Sequence, residues 1–336
     1  MSPSPSVHPR WSSPRAPRTK DLAGSRRLSL DPVAAPPTLG QLAATVIGES
    51  YGRVIARERK ALAADPAALH QMRVAGRRLR AALRLFGPVI RLPEAAGARR
   101  VRDLARVLGT LRDLEVQSEE LLGRYRALLQ GSHQPIIDRM LAQRRRPLAK
   151  ARAAIDRVLT GKRYARMKEA FERWLERPRF TAPGDLPLFA ALPDLLAPTV
   201  AELLLHSGWL VSPGESVHAK APVLHDLRKT IKRTRYQVEL VAPWYGDGLR
   251  PWIEDLVAMQ DSLGSLQDGE VLLASLPRDK PGRSGIRELK SAIQRRQVEA
   301  LSAWAAVRTR YLAPEERDRV RRMVLDLEAT KASQAG

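Results

Sequence analysis

The sequence predicts an all-α protein, and three observations carry that expectation. Of its 336 residues, 44% are hydrophobic but only 5% are aromatic, and the abundant Ala, Leu and Arg favour helix over strand. Apolar residues recur at three- and four-residue intervals, and no stretch shows the strict alternation of a half-buried strand. The third observation is a helical pattern that occurs twice, 155 residues apart. His70, Arg73, Arg77, Arg78 and Arg80 are matched by His225, Arg228, Lys232, Arg233 and Arg235. The register continues without a gap through Pro88 and Pro243, Gly109 and Gly264, and Asp113 and Asp268. Two halves of one architecture are therefore expected, each presenting a cationic helix.

The elements follow in order. Residues 1–38 hold eight Pro and seven Ser without apolar periodicity, the composition of a disordered arm. That arm carries six Lys or Arg and two Asp, so +18 of the net charge of +22 belongs to the remainder. A helix is expected from Thr38 along Leu42, Val46, Ile47, Tyr51 and Ile55 to about Ala64. Asp65-Pro66 then offers an N-cap followed by proline at the first helical position. The second helix carries His70 to Phe86 and stops at Gly87-Pro88. A third is expected from about Glu94 through Leu108, with Asp113 capping a fourth over 114–129, and two more cover 134–159 and 162–177.

Residues 39–177 thus form the first helical half, and Pro178, Pro183, Gly184, Pro187 and Pro193 punctuate a linker at 178–193. The second half, 194–330, repeats the scheme. It has a helix near 194–210, a Pro/Gly turn around 213–222, the basic helix at 223–242, and further helices at 249–276, 284–312 and about 315–330. Glu315 and Glu316 suit the first turn of the last helix. Residues 331–336 are left as a disordered tail.

At about 100° per residue, His70, Arg73, Arg77, Arg80 and Arg84 share one arc of a helix, opposite Met72, Leu79, Leu83 and Phe86. In the second copy His225, Arg228, Lys232 and Arg235 stand in front of Leu227, Ile231 and Val238, with Arg78, Lys229 and Arg233 on the flanks of the two faces. Like charges at these spacings cost about 0.2–0.5 kcal/mol per pair. No acidic residue lies between Asp65 and Glu94 to relieve them. Either distant carboxylates or a bound polyanion must offset the repulsion. A charge run is ordinarily a solvated face, but repetition in register behind a histidine favours the polyanion, whose oxygens the arginine fork grips bidentately. Each histidine suits a hydrogen-bonding place in the core or, next to an anion, a charged phosphate donor. In the repeated Leu-Gly-x-Leu-x-Asp, Gly109 and Gly264 suit a turn or a close helix approach. Asp113 and Asp268 suit an N-cap or a carboxylate that orients arginine.

These motifs resemble a known family. Leu69 to Phe86 is similar to the signature helix of the CHAD domain, a histidine-containing α-helical domain. Leu224 to Tyr236 resembles its second, equivalent helix, and Leu-Gly-x-Leu-Arg-Asp at 108–113 with Leu-Gly-Ser-Leu-Gln-Asp at 263–268 completes the likeness over about residues 39–330. The resemblance implies two pseudo-symmetric helical bundles with a basic central cavity, binding of inorganic polyphosphate, and association with polyphosphate granules. It assigns His70, Arg73, Arg77, Arg78, Arg80, His225, Arg228, Lys229, Lys232, Arg233 and Arg235 to that binding, and Arg84 joins them by its place on the stripe. The chain departs from many members in lacking the Glu-x-Glu-x-Lys motif of an accompanying triphosphate-tunnel domain. A stand-alone, non-enzymatic binder without cofactor or metal is therefore expected, with inorganic polyphosphate as partner and other polyanions as lesser ones.

Two other functions compete. A metal-dependent phosphohydrolase would need converging ligands. His225-Asp226 superficially resembles a ligand pair, but His206, His218 and His225 form no metal-ligand register among only six histidines. Nucleic-acid binding suits the charge, yet aromatic residues for base stacking are sparse and no helix-turn-helix or zinc spacing is apparent. Cysteine is absent, which accords with a reducing compartment. No run is expected to span a membrane, and Ser25 to Leu30 lacks the apolar stretch an export signal needs, since Asp31 and Pro32 follow it. The expected location is the cytoplasm, on polyphosphate granules; oligomeric state and chain-length preference are left open.

Overall fold

The computed structural model describes residues 37–115, 118, 134–212, 217–276 and 284–327. Among these the protein is all-helical, with no β contact beyond the isolated bridges Thr38–Pro187 and Ile90–Phe180. The expected arm, the helix expected at 114–129 beyond its first residues, and the tail at 331–336 lie outside the described residues.

Helix α1 spans Leu39–Leu62 and opens on a capping box in which Thr38 and Gln41 exchange hydrogen bonds. Ala64, at φ 63°, turns the chain through the left-handed region and sets Asp65 to cap α2, Pro66–Leu85. One Asp65 carboxylate oxygen accepts from the backbone N–H of Ala67 at 2.8 Å and of Ala68 at 3.2 Å. Then follow α3 (Ala98–Glu115), α4 (Gln134–Leu159), α5 (Lys162–Glu176), α6 (Leu188–Leu204), α7 (Val217–Val241), α8 (Arg250–Ser275), α9 (Ser284–Leu312) and α10 (Pro314–Leu325).

Four boundaries differ from expectation. The third helix is broken at Gly97, so Glu94–Ala96 forms a separate 3₁₀ turn before α3. Asp113 lies inside α3 rather than ahead of a helix start. Helix α6 begins at Leu188, inside the stretch expected to be linker, and carries Pro193 and Pro198 within it. An interior proline costs about 3 kcal/mol, but here Leu188, Leu192, Leu196 and Leu203 are fully buried, and that apolar burial outweighs the penalty. Pro222 is absorbed into α7 in the same way, where a turn was expected.

Residues 188–210 reach a mean hydropathy of 1.7 and are long and apolar enough to cross a membrane, a run whose absence was expected from the sequence. Its prolines disguised it. In the fold the segment is α6 followed by the turn Ser207–Leu210, and most of its leucines face the core.

One continuous core runs from Leu39 to Leu327 and draws on residues from both sides of the 178–193 stretch. A smaller cluster joins Met140 of α4 to Leu272, Leu289 and Ile293. Helix α2 packs against α1, α3 and α7, while α7 packs against α2, α6 and α8. The two basic helices are therefore direct neighbours.

Candidate functional site

The apolar backs of the two basic helices anchor them. Met72 and Leu79 of α2, and Leu227, Ile231 and Val238 of α7, are buried to 1% exposure or less. Of the twelve expected site residues, Arg80, Arg84 and Lys229 are exposed and the other nine are partly buried.

The structure separates these residues into two groups. In the first, each cation has a carboxylate. Glu239 of α7 takes Arg78 of α2 at 3.2 Å and Arg235 of its own helix at 3.4 Å. Glu202 of α6 takes Arg84 of α2 at 3.2 Å and also Arg233 of α7. Lys229 pairs with Asp226 at 3.3 Å. Glu239 and Glu202 thus clasp α2 to α7 and α6 through arginines that would otherwise repel.

In the second group, Arg73 and Arg77 of α2 and Arg228 and Lys232 of α7 have no ion-pair partner among the described residues. Burial pushes the Lys232 ammonium down to about 6, and Arg77, Arg228, Arg73 and Arg235 push the same way. Burial likewise lowers Arg73 to about 10, with Arg77 and Arg112 adding to the effect and Tyr236 and Asp113 opposing it. The Nε groups of Arg73 and Arg228 are buried without an acceptor, an arrangement that costs roughly 1–3 kcal/mol for each such group. Arg80 also has no ion-pair partner among the described residues, but it is exposed. Burial lowers its pKa first, followed by the neighbouring Arg102, Arg77, Arg106 and Arg84.

The sequence reading missed several contributors. Arg102, Arg106 and Arg112 extend the cationic surface onto α3; Arg106 pairs with Asp103 at 3.6 Å and Arg112 with Glu115 at 3.8 Å. Their i,i+4 spacing between Arg102 and Arg106 was a usable signal. Glu202 was not recognisable, because its partners lie over 30 and over 110 residues away.

His225 sits among Ala221, Leu224, Leu263, Leu266 and Gln267. It shares a hydrogen bond with Gln267, and burial, then Lys229 and Arg228, hold its pKa below the usual value. His70 is partly buried on α2. The neighbouring Asp226 turns away from His225 to His206, whose Nε2 lies 3.3 Å off, so the adjacent pair does not act as one. Among the described residues no three His, Asp or Glu side chains gather to hold a metal ion. Gly109 and Gly264 both lie inside helices rather than at turns, and Asp113 is an exposed carboxylate whose field reaches Arg73.

A family model described as the CHAD domain matches residues 45–277. Two solved structures are similar in fold. The CHAD domain from the plant Ricinus communis superposes with a TM-score of 0.59 at 23% identity, over 88% of this chain and 95% of its own. PptA from Streptomyces chartreusis gives a TM-score of 0.52 at 18% identity, over 89% of this chain and 99% of its own. No curated protein matches the chain.

Proposed function

The chain belongs to the CHAD domain family, and we propose that it binds inorganic polyphosphate, without hydrolysing or transferring it, along the seam where α2 and α7 meet. The observation that carries this reading is the quartet Arg73, Arg77, Arg228 and Lys232: four neighbouring cations on two packed helices, without a protein counter-charge among the described residues. A linear polyanion supplies what they lack. Cations four residues apart on a helix stand about 6 Å apart along its axis, so one chain of phosphates meets several of them in succession. The family's link with polyphosphate points to the same ligand.

The absence of catalysis is part of the proposal. Phosphoryl chemistry needs carboxylates free to hold metal or move protons, whereas Glu202, Glu239 and Asp226 are engaged by arginine, lysine and histidine. The 155-residue repeat favours two pseudo-symmetric halves on either side of the connection at 178–187, with the seam as a basic central channel. Residence in the cytoplasm, on polyphosphate granules, belongs to the same proposal.

The test is titration of long-chain polyphosphate into the full-length protein and into a variant with Arg73, Arg77, Arg228 and Lys232 changed to Ala. The expected loss is at least ~100-fold in affinity, since each hydrogen bond to a charged group contributes about 1.5–3 kcal/mol. Equal affinity would remove the site. Preference for duplex DNA over polyphosphate at physiological salt would overturn the ligand, and phosphate release on adding Mg²⁺ or Mn²⁺ would overturn the non-enzymatic assignment.

A further inference from the structure

Gly109 of α3 and Gly264 of α8 occupy matching places in the repeat, and both stand in helix interiors. Glycine there destabilises a helix relative to alanine, so each position raises the question of what its missing side chain makes room for. A methyl group on Gly109 would meet nothing within 4 Å among the described residues. On Gly264 it would stand 3.2 Å from Nη2, 3.4 Å from Nε and 3.7 Å from Cζ of Arg228. The guanidinium of Arg228 therefore lies against the α8 backbone at a spot where a methyl group would crowd it. Its Nε is buried there without an acceptor, and no ion pair holds its head among the described residues. Contact with α8 at Gly264 thus bears directly on where this guanidinium stands.

Gly269, five residues further along the same helix, shows the contrasting structural use. A methyl group there would meet the Gln297 side chain at 2.8 Å. Gln297 is buried and donates to Leu266 O at 3.3 Å and Glu270 Oε1 at 2.8 Å, so Gly269 serves the packing of α9 on α8. At Gly264 the neighbour is instead a flexible cation of the candidate site.

We propose that Gly264 is a positioning residue for anion binding, which by lacking a side chain seats the Arg228 guanidinium where it acts together with Arg73, Arg77 and Lys232. The inference rests on the reading of that quartet as a polyphosphate site. A methyl at Gly264 shifts the guanidinium by a few tenths of an ångström and disturbs its paired hydrogen bonds to phosphate oxygens, while the helix itself accepts alanine readily.

The experiment measures long-chain sodium polyphosphate binding to the full-length protein by calorimetry, with thermal unfolding alongside. The variants are Gly264→Ala, Arg228→Ala, the two combined, and Gly109→Ala. Gly264→Ala is expected to weaken binding about fivefold through a strained charge-assisted contact, with an unchanged or raised Tm. Added to Arg228→Ala it should cost nothing more, and Gly109→Ala should bind like the wild type. Wild-type affinity in Gly264→Ala, an equal loss with and without Arg228, or failure of Gly264→Ala to fold would each overturn the inference. If Arg228→Ala and the four-residue variant lose binding in those same experiments, the polyphosphate reading survives that failure. If neither loses binding, both fall.

Discussion

The arginines clasped by Glu239 and Glu202 and the quartet formed by Arg73, Arg77, Arg228 and Lys232 share two helices and one chemistry, yet they do opposite things. Around Glu239, two guanidiniums and a carboxylate share a partly buried place, and the side chains of Arg78 and Glu239 are only 11% and 20% exposed. Removing the carboxylate would leave buried charge uncompensated. In the quartet the charge is uncompensated already, and the fold bears the cost of cations held together by the packing behind them. The difference separates arginines that hold α2 to its neighbours from the four groups that we propose are kept available for a ligand. Substitution should reveal it as opposite signs in stability and binding.

The largest stability effect is expected at the clasp. Glu239→Ala should destabilise the protein by about 3 kcal/mol, within the range for breaking one side of a buried pair, as read from urea unfolding. Polyphosphate affinity of the folded variant should hold or tighten, because two cations are released. Weaker binding with unchanged stability would exchange the assigned roles.

Next comes the pH dependence of binding. Lys232, lowered to about 6 in the free protein, is largely neutral at pH 8, and a bound polyanion raises its pKa. Binding then takes up a proton. Affinity should rise by up to about tenfold for each unit that pH falls from 8 towards 6 and level off below. Lys232→Met should flatten this slope. A slope shared by wild type and variant would place the proton elsewhere.

The same residue gives a smaller effect on stability. Between about pH 6 and the ordinary lysine value of 10.5, the unfolded chain holds a proton that the folded chain has released. Its contribution therefore makes the free protein more stable as pH rises through that window. Lys232→Met should remove that trend and stabilise the free protein at neutral pH by at least ~1 kcal/mol, because folding no longer strips the proton from a buried amine. Destabilisation instead would mean the ammonium has a structural partner.

The smallest effect belongs to Lys229. Its side chain is 59% exposed beside Asp226, and such pairs contribute about 0–1 kcal/mol. Lys229→Ala should shift Tm very little and weaken polyphosphate binding by less than about threefold at physiological salt, where exposed charges are screened. A loss as large as that for Arg228→Ala would extend the unclasped group.

Much of this arrangement was visible in the chain. Thr38 and Asp65-Pro66 marked helix starts because capping is local chemistry, and the His70 and His225 stripes predicted which faces carry the cations because helical period is local too. What escaped depends on distant burial. The helix through Pro193 and Pro198 exists because its leucines find a core, a fact that no window around two prolines reveals. Asp113 resembles a cap until α3 is seen to continue past it. The clasps were partly legible: 155 residues beyond Arg84 stands Glu239, a reversal of charge in an otherwise matched pattern. The repeat broke where the second helix supplies a carboxylate to its neighbour. Gly264 was legible as a motif, but its use required knowing that Arg228 lies across it while Gly109 has no such neighbour.

The central claim is that four unclasped cations engage one polyanion together, and salt dependence of polyphosphate affinity tests it most directly. By analogy with single-stranded nucleic acids, each neutralised phosphate contributes about 0.7 to the slope of log affinity against log salt. Replacing Arg73, Arg77, Arg228 and Lys232 with Ala should therefore reduce the magnitude of that slope by about three, the cumulative effect of four lost contacts. A variant that keeps the wild-type slope would contradict the account.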